Sequence, residues 1–128
     1  MQYKRTEYFR YTFGEPLEAK FRIATTGDLG TTSGVGACSL LDISPSGAKL
    51  AMRFDIPSGQ DSSQLLITFT LYKKEVEVRG NIVWKRQYRD THLYGINFEE
   101  DLVREQLITD ELKLLSREKL ERNKKSDT

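Results

Sequence analysis

Apolar residues recur at every second position along most of this chain, and a period of two dictates strands. Leu17, Ala19, Phe21 and Ile23 alternate with Glu18, Lys20 and Arg22. Residues 36–43 and 48–54 carry the next two runs. In the second of these, Ala48, Leu50, Met52 and Phe54 share one face, and Lys49, Ala51 and Arg53 the other. Leu65, Ile67, Phe69 and Leu71 make a fourth run. Val76, Val78, Ile82 and Trp84 keep one phase through Gly80, which predicts a long fifth strand with a bulge or tight bend at that glycine. Tyr94, Ile96 and Phe98 face inward on a sixth.

Turn signals separate these runs. Residues 25–36 hold Gly27, Gly30, Gly34 and Gly36 among Thr and Ser. No Lys-Ser/Thr follows them and no GxGxxG spacing occurs, so a hairpin connection fits better than a phosphate loop. Pro57 and Gly59 mark Asp55–Ser63 as a loop, Tyr72-Lys73-Lys74 reads as a turn, and Gln87–Thr91 reverses the chain. Six short strands with regular turns predict a six-stranded antiparallel β-barrel, because closure removes exposed sheet edges.

From Glu99 the period changes. Val103, Leu107, Ile108, Leu112, Leu114, Leu115 and Leu120 form a helical stripe. Glu99, Glu100 and Asp101 precede it, and Arg117, Lys119 and Arg122 lie near its end, both favourable to the helix dipole. The expected class is therefore all-β with a C-terminal helix. The stripe covers an open end of the barrel, or it contacts a second copy. The expected division is an N-terminal arm over 1–12, the barrel over 13–99, the helix over 100–122 and a disordered tail over 123–128.

Composition excludes several functions. The 128 residues suffice for one core, and the net charge of +1 creates no general field for nucleic acid. Any anion site must be local, and the basic groove with spaced aromatics of an oligonucleotide-binding barrel is not visible. His92 and Cys38 are the single members of their types, too few for a Cys/His zinc site or a His-based triad with a matching nucleophile motif. Glu75 and Glu77 share a strand face and read as wet sheet surface. No enzyme, catalytic residue, metal or cofactor is expected. One cysteine, no apolar run near the roughly 20 residues of a membrane span, and no signal-peptide core point to the cytoplasm without membrane insertion.

Two polar clusters stand out. Asp42-Ile43-Ser44-Pro45-Ser46-Gly47 lies between two strands. Asp42 and Ser44, two apart, share one side of an extended backbone. Both can fix a turn through nearby backbone N–H groups; Pro45 stiffens the bend and Gly47 allows positive φ. Upstream, Lys4, Arg5 and Arg10 interleave with Tyr8 and Phe9. By itself this segment is either a solvated basic terminus or an arm feeding the first strand. Trp84, the single tryptophan, is either core or part of a site.

Asp42-x-Ser44-x-x-Gly47 resembles the (D/N)xSxxG motif of PilZ domains, and Lys4–Arg10 resembles the N-terminal RxxxR motif of the same family at the expected distance upstream. Gly80–Trp84 and Tyr94–Phe98 resemble its later strands, so the resemblance covers about residues 2 to 115. The position four before Arg10 is Thr6, and Arg5 stands one residue earlier, where many members carry the first of two arginines. The resemblance implies a six-stranded barrel that binds cyclic di-GMP, a bacterial second messenger, through Arg5, Arg10, Asp42, Ser44, Gly47 and Trp84. An arginine fork matches guanine O6 and N7, and guanidinium also stacks on bases and pairs with phosphate. Asp42 can accept the guanine N–H donors, and Ser44 can serve a phosphate or sugar oxygen. Arm ordering on binding would then signal to a protein partner, by resemblance in motility, biofilm or exopolysaccharide machinery. The alternative is a PilZ-like adaptor with weak or no ligand binding that contacts proteins constitutively. No DNA partner is expected, and the chain is read as a monomer or weak homodimer.

Overall fold

The computed structural model describes residues 10–25, 35–56 and 63–126, apart from the side chains at 24, 25, 63 and 121–126. Six strands close into one barrel: β1 (Tyr11–Thr25), β2 (Gly36–Ser44), β3 (Gly47–Met52), β4 (Ser63–Thr70), β5 (Glu75–Tyr88) and β6 (Thr91–Phe98). Their order is β1-β2-β3-β6-β5-β4, and every neighbouring pair is antiparallel. The inward residues of the alternating runs fill the interior. Leu40, Leu50, Leu65, Ile67, Val78 and Tyr94 are fully buried there.

The described strands carry three register shifts; the one in β1, between Thr12 and Leu17, leaves Tyr11, Phe13 and Leu17 in one phase, whereas bulges in β2 and β5 each reverse which way the chain faces. In β2, Leu40 pairs with Leu50 but Asp42 pairs with Lys49, so Leu41 is the extra residue. Cys38 and Leu40 point inward before it and Ile43 after it, and Asp42 and Ser44 therefore leave the core phase. In β5, Ile82 pairs with Ile96 but Trp84 pairs with Gly95, so Val83 is extra. Trp84 is thus 41% exposed on the outer face, out of phase with Val76, Val78 and Ile82. This corrects the continuous phase expected from the sequence. The bulge stands at Val83, and Gly80 stays in regular pairing with Leu65 and Phe98.

The helix α1 runs over Leu102–Ser126, four residues beyond the expected end at 122. Lys, Arg, Glu and Leu favour continuation, and terminal cations suit the dipole. Asp101 caps its start: its carboxylate accepts the Arg104 N–H at 3.2 Å. Ile108 and Leu112 are buried in the core cluster, whereas Val103, Leu114 and Leu120 of the expected stripe are exposed. Glu111 is fixed by chemistry that periodicity does not show. Its Oε1 accepts the backbone N–H groups of Tyr72, Lys73 and Lys74 at 3.0, 2.9 and 2.9 Å, tying α1 to the β4–β5 turn. Burial alone would raise its pKa, but the three N–H donors outweigh burial and hold it below the ordinary range. Farther along, Lys119 Nζ lies 5.4 Å from the Tyr11 ring centroid. The helix therefore crosses the barrel end that carries the β4–β5 turn and the start of β1. The antiparallel registers place the β2–β3 turn at this same end.

At the opposite end a buried tyrosine anchors the chain leaving β3. Tyr94 Oη donates to the Phe54 carbonyl at 2.6 Å and accepts the Ile56 N–H at 2.9 Å. Lys85 Nζ joins the Ile56 carbonyl at 3.0 Å and also bonds Asp55. Phe54, expected on the inner face with Met52, is exposed, because regular strand structure stops at Met52.

Candidate functional site

The β2–β3 turn is two residues long, Pro45-Ser46, between the paired Ser44 and Gly47. Pro45 fixes φ near about −65°, and Ser46 has no positive φ, so this is not a primed hairpin turn. Side-chain and cross-strand bonds hold it. Ser44 is fully buried; its Oγ accepts the Ser46 N–H and donates to the Gly47 carbonyl, both at 3.4 Å. The Phe98 N–H donates to the Ser46 carbonyl at 2.8 Å and fastens the turn to the end of β6. Ser44 thus stands inside the turn, while Asp42 stands at its outer edge.

Gly47 corrects an expectation. Its backbone does not enter the left-handed region. Glycine is required there by proximity: a Cβ would lie 2.6 Å from the Ile96 carbonyl oxygen of the neighbouring strand. A backbone atom cannot swing aside as a side chain can, so the absent Cβ is what lets the turn lie close to β6.

Asp42 is 8% exposed and receives Arg10 Nη1 on Oδ1 at 2.6 Å. The Arg10 side chain is half-exposed, and an ion pair with one wet member contributes only about 0–1 kcal/mol to stability. Its main effect is positional. It holds a guanidinium, whose other donors bond no other described residue, against a carboxylate. Arg10 immediately precedes β1, where Thr12 pairs with Asp42.

The register extends this pair into a row. Asp42 pairs with Lys49, Lys49 with Gly95, and Gly95 with Trp84. At about 4.8 Å per strand the row spans about 14 Å of outer surface. The Trp84 indole leans back over Gly95, occupying the space a Cβ there would take. The aromatic ring therefore lies one strand closer to Asp42 than its own backbone does. Four chemistries converge: a guanidinium, a carboxylate, an ammonium-bearing strand and an exposed indole. Together they suit a planar, hydrogen-bonding, anionic ligand lying flat on the barrel.

Of the residues singled out from the sequence, Arg10, Asp42, Ser44, Gly47 and Trp84 meet on this side of the barrel. Arg5, with Lys4, Thr6, Tyr8 and Phe9, lies outside the described residues. Lys49 was not singled out as part of the site. The signal was present: counting outward from a two-residue turn pairs Asp42 with Lys49. Cys38 is enclosed in the barrel, where burial pushes its thiol up to about 12. His92 Nδ1 is buried without a hydrogen-bond partner, 4.0 Å from Asp55 Oδ1, at the other end of the barrel. Among the described residues no group of three His, Cys, Asp or Glu side chains could hold a metal ion, and no helix is long and apolar enough to cross a membrane. A groove of about 640 Å³ lies elsewhere, lined by Glu18, Lys20, Ser39, Arg53, Thr68 and Glu75 among others, and includes none of the row.

A family model described as PilZ domain matches residues 4–114. The chain is similar in structure to the "PilZ domain with c-di-GMP of YcgR from Escherichia coli", with a TM-score of 0.64 and 17% identity over 95% of this chain and 99% of that one. It also matches the PilZ domain of CeSA from a cellulose-synthesizing bacterium, with a TM-score of 0.49 and 15% identity over 87% of this chain and 98% of that one. No curated protein matches. At 17% identity the first likeness shows the barrel and its helix.

Proposed function

The chain belongs to the PilZ domain family, and from that membership we propose that it is a receptor domain for cyclic di-GMP rather than an enzyme. The observation that carries the reading is the Arg10–Asp42 pair, 2.6 Å apart, at one end of the row that leads through Lys49 to Trp84. In this reading Asp42 accepts guanine N–H groups. Arg10 turns its free donors to guanine or phosphate, Arg5 adds a second guanidinium from the arm, and Lys49 supplies a cation for the phosphates. Trp84 offers a stacking face. Ser44 and Gly47 keep the turn in place from within. Residues 1–10 close over the ligand, because two phosphates relieve repulsion among Lys4, Arg5 and Arg10, and the altered surface reaches a protein partner.

Two observations favour the adaptor alternative. The position four before Arg10 is Thr6, and the Arg10 guanidinium has a carboxylate partner within the protein. Calorimetric titration with cyclic di-GMP separates the two. A receptor binds, and Arg10→Ala or Asp42→Ala weakens binding by about 2 kcal/mol, roughly thirtyfold. Amide exchange over residues 2–12 then slows on saturation. No heat and no displacement of a labelled ligand by wild-type protein would favour the adaptor.

A further inference from the structure

We propose that the outer edge of β5, from Trp84 to the β5–β6 turn, is a docking surface for an acidic, extended segment of a partner protein. The bulge at Val83 sends Trp84, Arg86 and Tyr88 to the outside, two residues apart each time. Four residues of strand make this strip about 13 Å long. Trp84 and Tyr88 are 41% and 58% exposed, and Val83 beside them is exposed as well. Tryptophan, tyrosine and arginine together are the composition of interface centres, not of ordinary wet sheet.

Each ring carries its own guanidinium. The Arg86 guanidinium carbon lies 5.9 Å from the Trp84 ring centroid, and that of Arg89 lies 5.4 Å from the Tyr88 centroid. Neither arginine has a carboxylate within ion-pairing distance among the described residues, although Asp90 adjoins Arg89 in sequence. Stacking against a ring restrains a long side chain while leaving the N–H edges of the fork available. Those edges match carboxylates bidentately. Arg89 also holds φ 60 in the two-residue turn, a left-handed conformation more usual for Gly or Asn. Gln87 Nε2 donates to its carbonyl at 3.2 Å and supports that shape. An unfavourable backbone kept at an exposed tip, presenting a cation, is the kind of feature that function retains. An extended partner with acidic residues at alternate positions would match the spacing of Arg86 and the turn, with half-buried Leu93, paired to Arg86, beneath it. The proposal goes beyond ligand binding and does not depend on it.

The test is fluorescence anisotropy at low ionic strength, without cyclic di-GMP, using three labelled probes. They are a short peptide of alternating Glu and Leu, its Lys/Leu counterpart, and a single-stranded oligonucleotide. The expected result is that the acidic peptide binds, the basic one does not, and Arg86→Glu with Arg89→Glu weakens the acidic peptide about tenfold or more. Circular dichroism confirms the fold of the reversed variant. If that variant does not fold, Arg86→Gln with Arg89→Gln is expected to weaken binding in the same direction. The proposal is overturned if wild type does not bind the acidic peptide, if the charge changes leave its affinity unaltered, or if the oligonucleotide binds more tightly.

Discussion

Gly47→Ala is the sharpest perturbation of the turn that carries Asp42. The new Cβ would stand 2.6 Å from the Ile96 carbonyl oxygen, whereas an ordinary contact needs at least about 3.4 Å. The β3 and β6 backbones must then separate by about 0.8 Å near the turn. The Phe98 N–H to Ser46 carbonyl bond, 2.8 Å long, spans this gap and would stretch toward the limit of hydrogen bonding. Leaving such a bond unmade costs about 1–3 kcal/mol, and forced separation of packed strands costs a similar amount. Reduced freedom of the unfolded chain offsets about 0.4–1 kcal/mol. The expected net loss is about 2 kcal/mol, which for a chain of this size lowers Tm by about 8 °C. Urea unfolding followed by circular dichroism measures it, with the slope against denaturant unchanged. Had glycine been needed only for conformational freedom, alanine would be tolerated at a residue without positive φ. Gly47→Ala as stable as wild type, or more so, refutes the proximity argument.

Tyr94→Phe removes a donor and an acceptor from a fully buried site and is expected to cost about 1–3 kcal/mol by urea unfolding. Glu111 titrates below its ordinary range when folded, so the unfolded chain binds its proton more readily. Its stabilising contribution is present above about pH 4.3 and is lost as pH falls through the lower folded value. Urea midpoints taken from pH 6 to pH 3 should therefore fall less steeply in Glu111→Gln than in wild type. Cys38, with its thiol pushed up to about 12 by burial, is expected to resist alkylation at pH 8 until denaturant is added; prompt labelling of native protein would contradict the closed barrel.

Wherever burial follows strict alternation, the fold is legible in the chain. Leu65, Ile67 and Phe69 face inward as their spacing predicts, and so do Val76, Val78, Tyr94, Ile96 and Phe98. Alternation loses its meaning at an extra residue. Nothing in Leu40-Leu41 or in Val83-Trp84 marks a bulge, since hydrophobic neighbours fit a regular strand equally well. The direction of Trp84 could therefore not be read, and only pairing with Gly95 shows it. The sequence around Gly47 suggests conformational freedom as the need for glycine, whereas close approach to β6 is a tertiary fact with no local signature. Glu111 had no signal in the chain either: a carboxylate in a charged helix resembles its solvated neighbours until a turn from another strand pair meets it.

The extra residues at Leu41 and Val83 also define which inherited changes this barrel can absorb. Substituting either side chain leaves the reading frame of its strand intact. Deleting either residue would restore plain alternation: Leu40 would adjoin Asp42 and Ile82 would adjoin Trp84, and each of these pairs is already one residue in and one out. Asp42, Ser44 and Trp84 would stay out of the core phase, and the loss would fall on the local bend and twist that the extra residue adds. An insertion that the ladder pairs through without a new bulge is the change that moves each residue beyond it, up to the next turn, to the other face. A relative short by one residue at Leu41 or Val83 is therefore expected to keep the same outer face on a straighter strand.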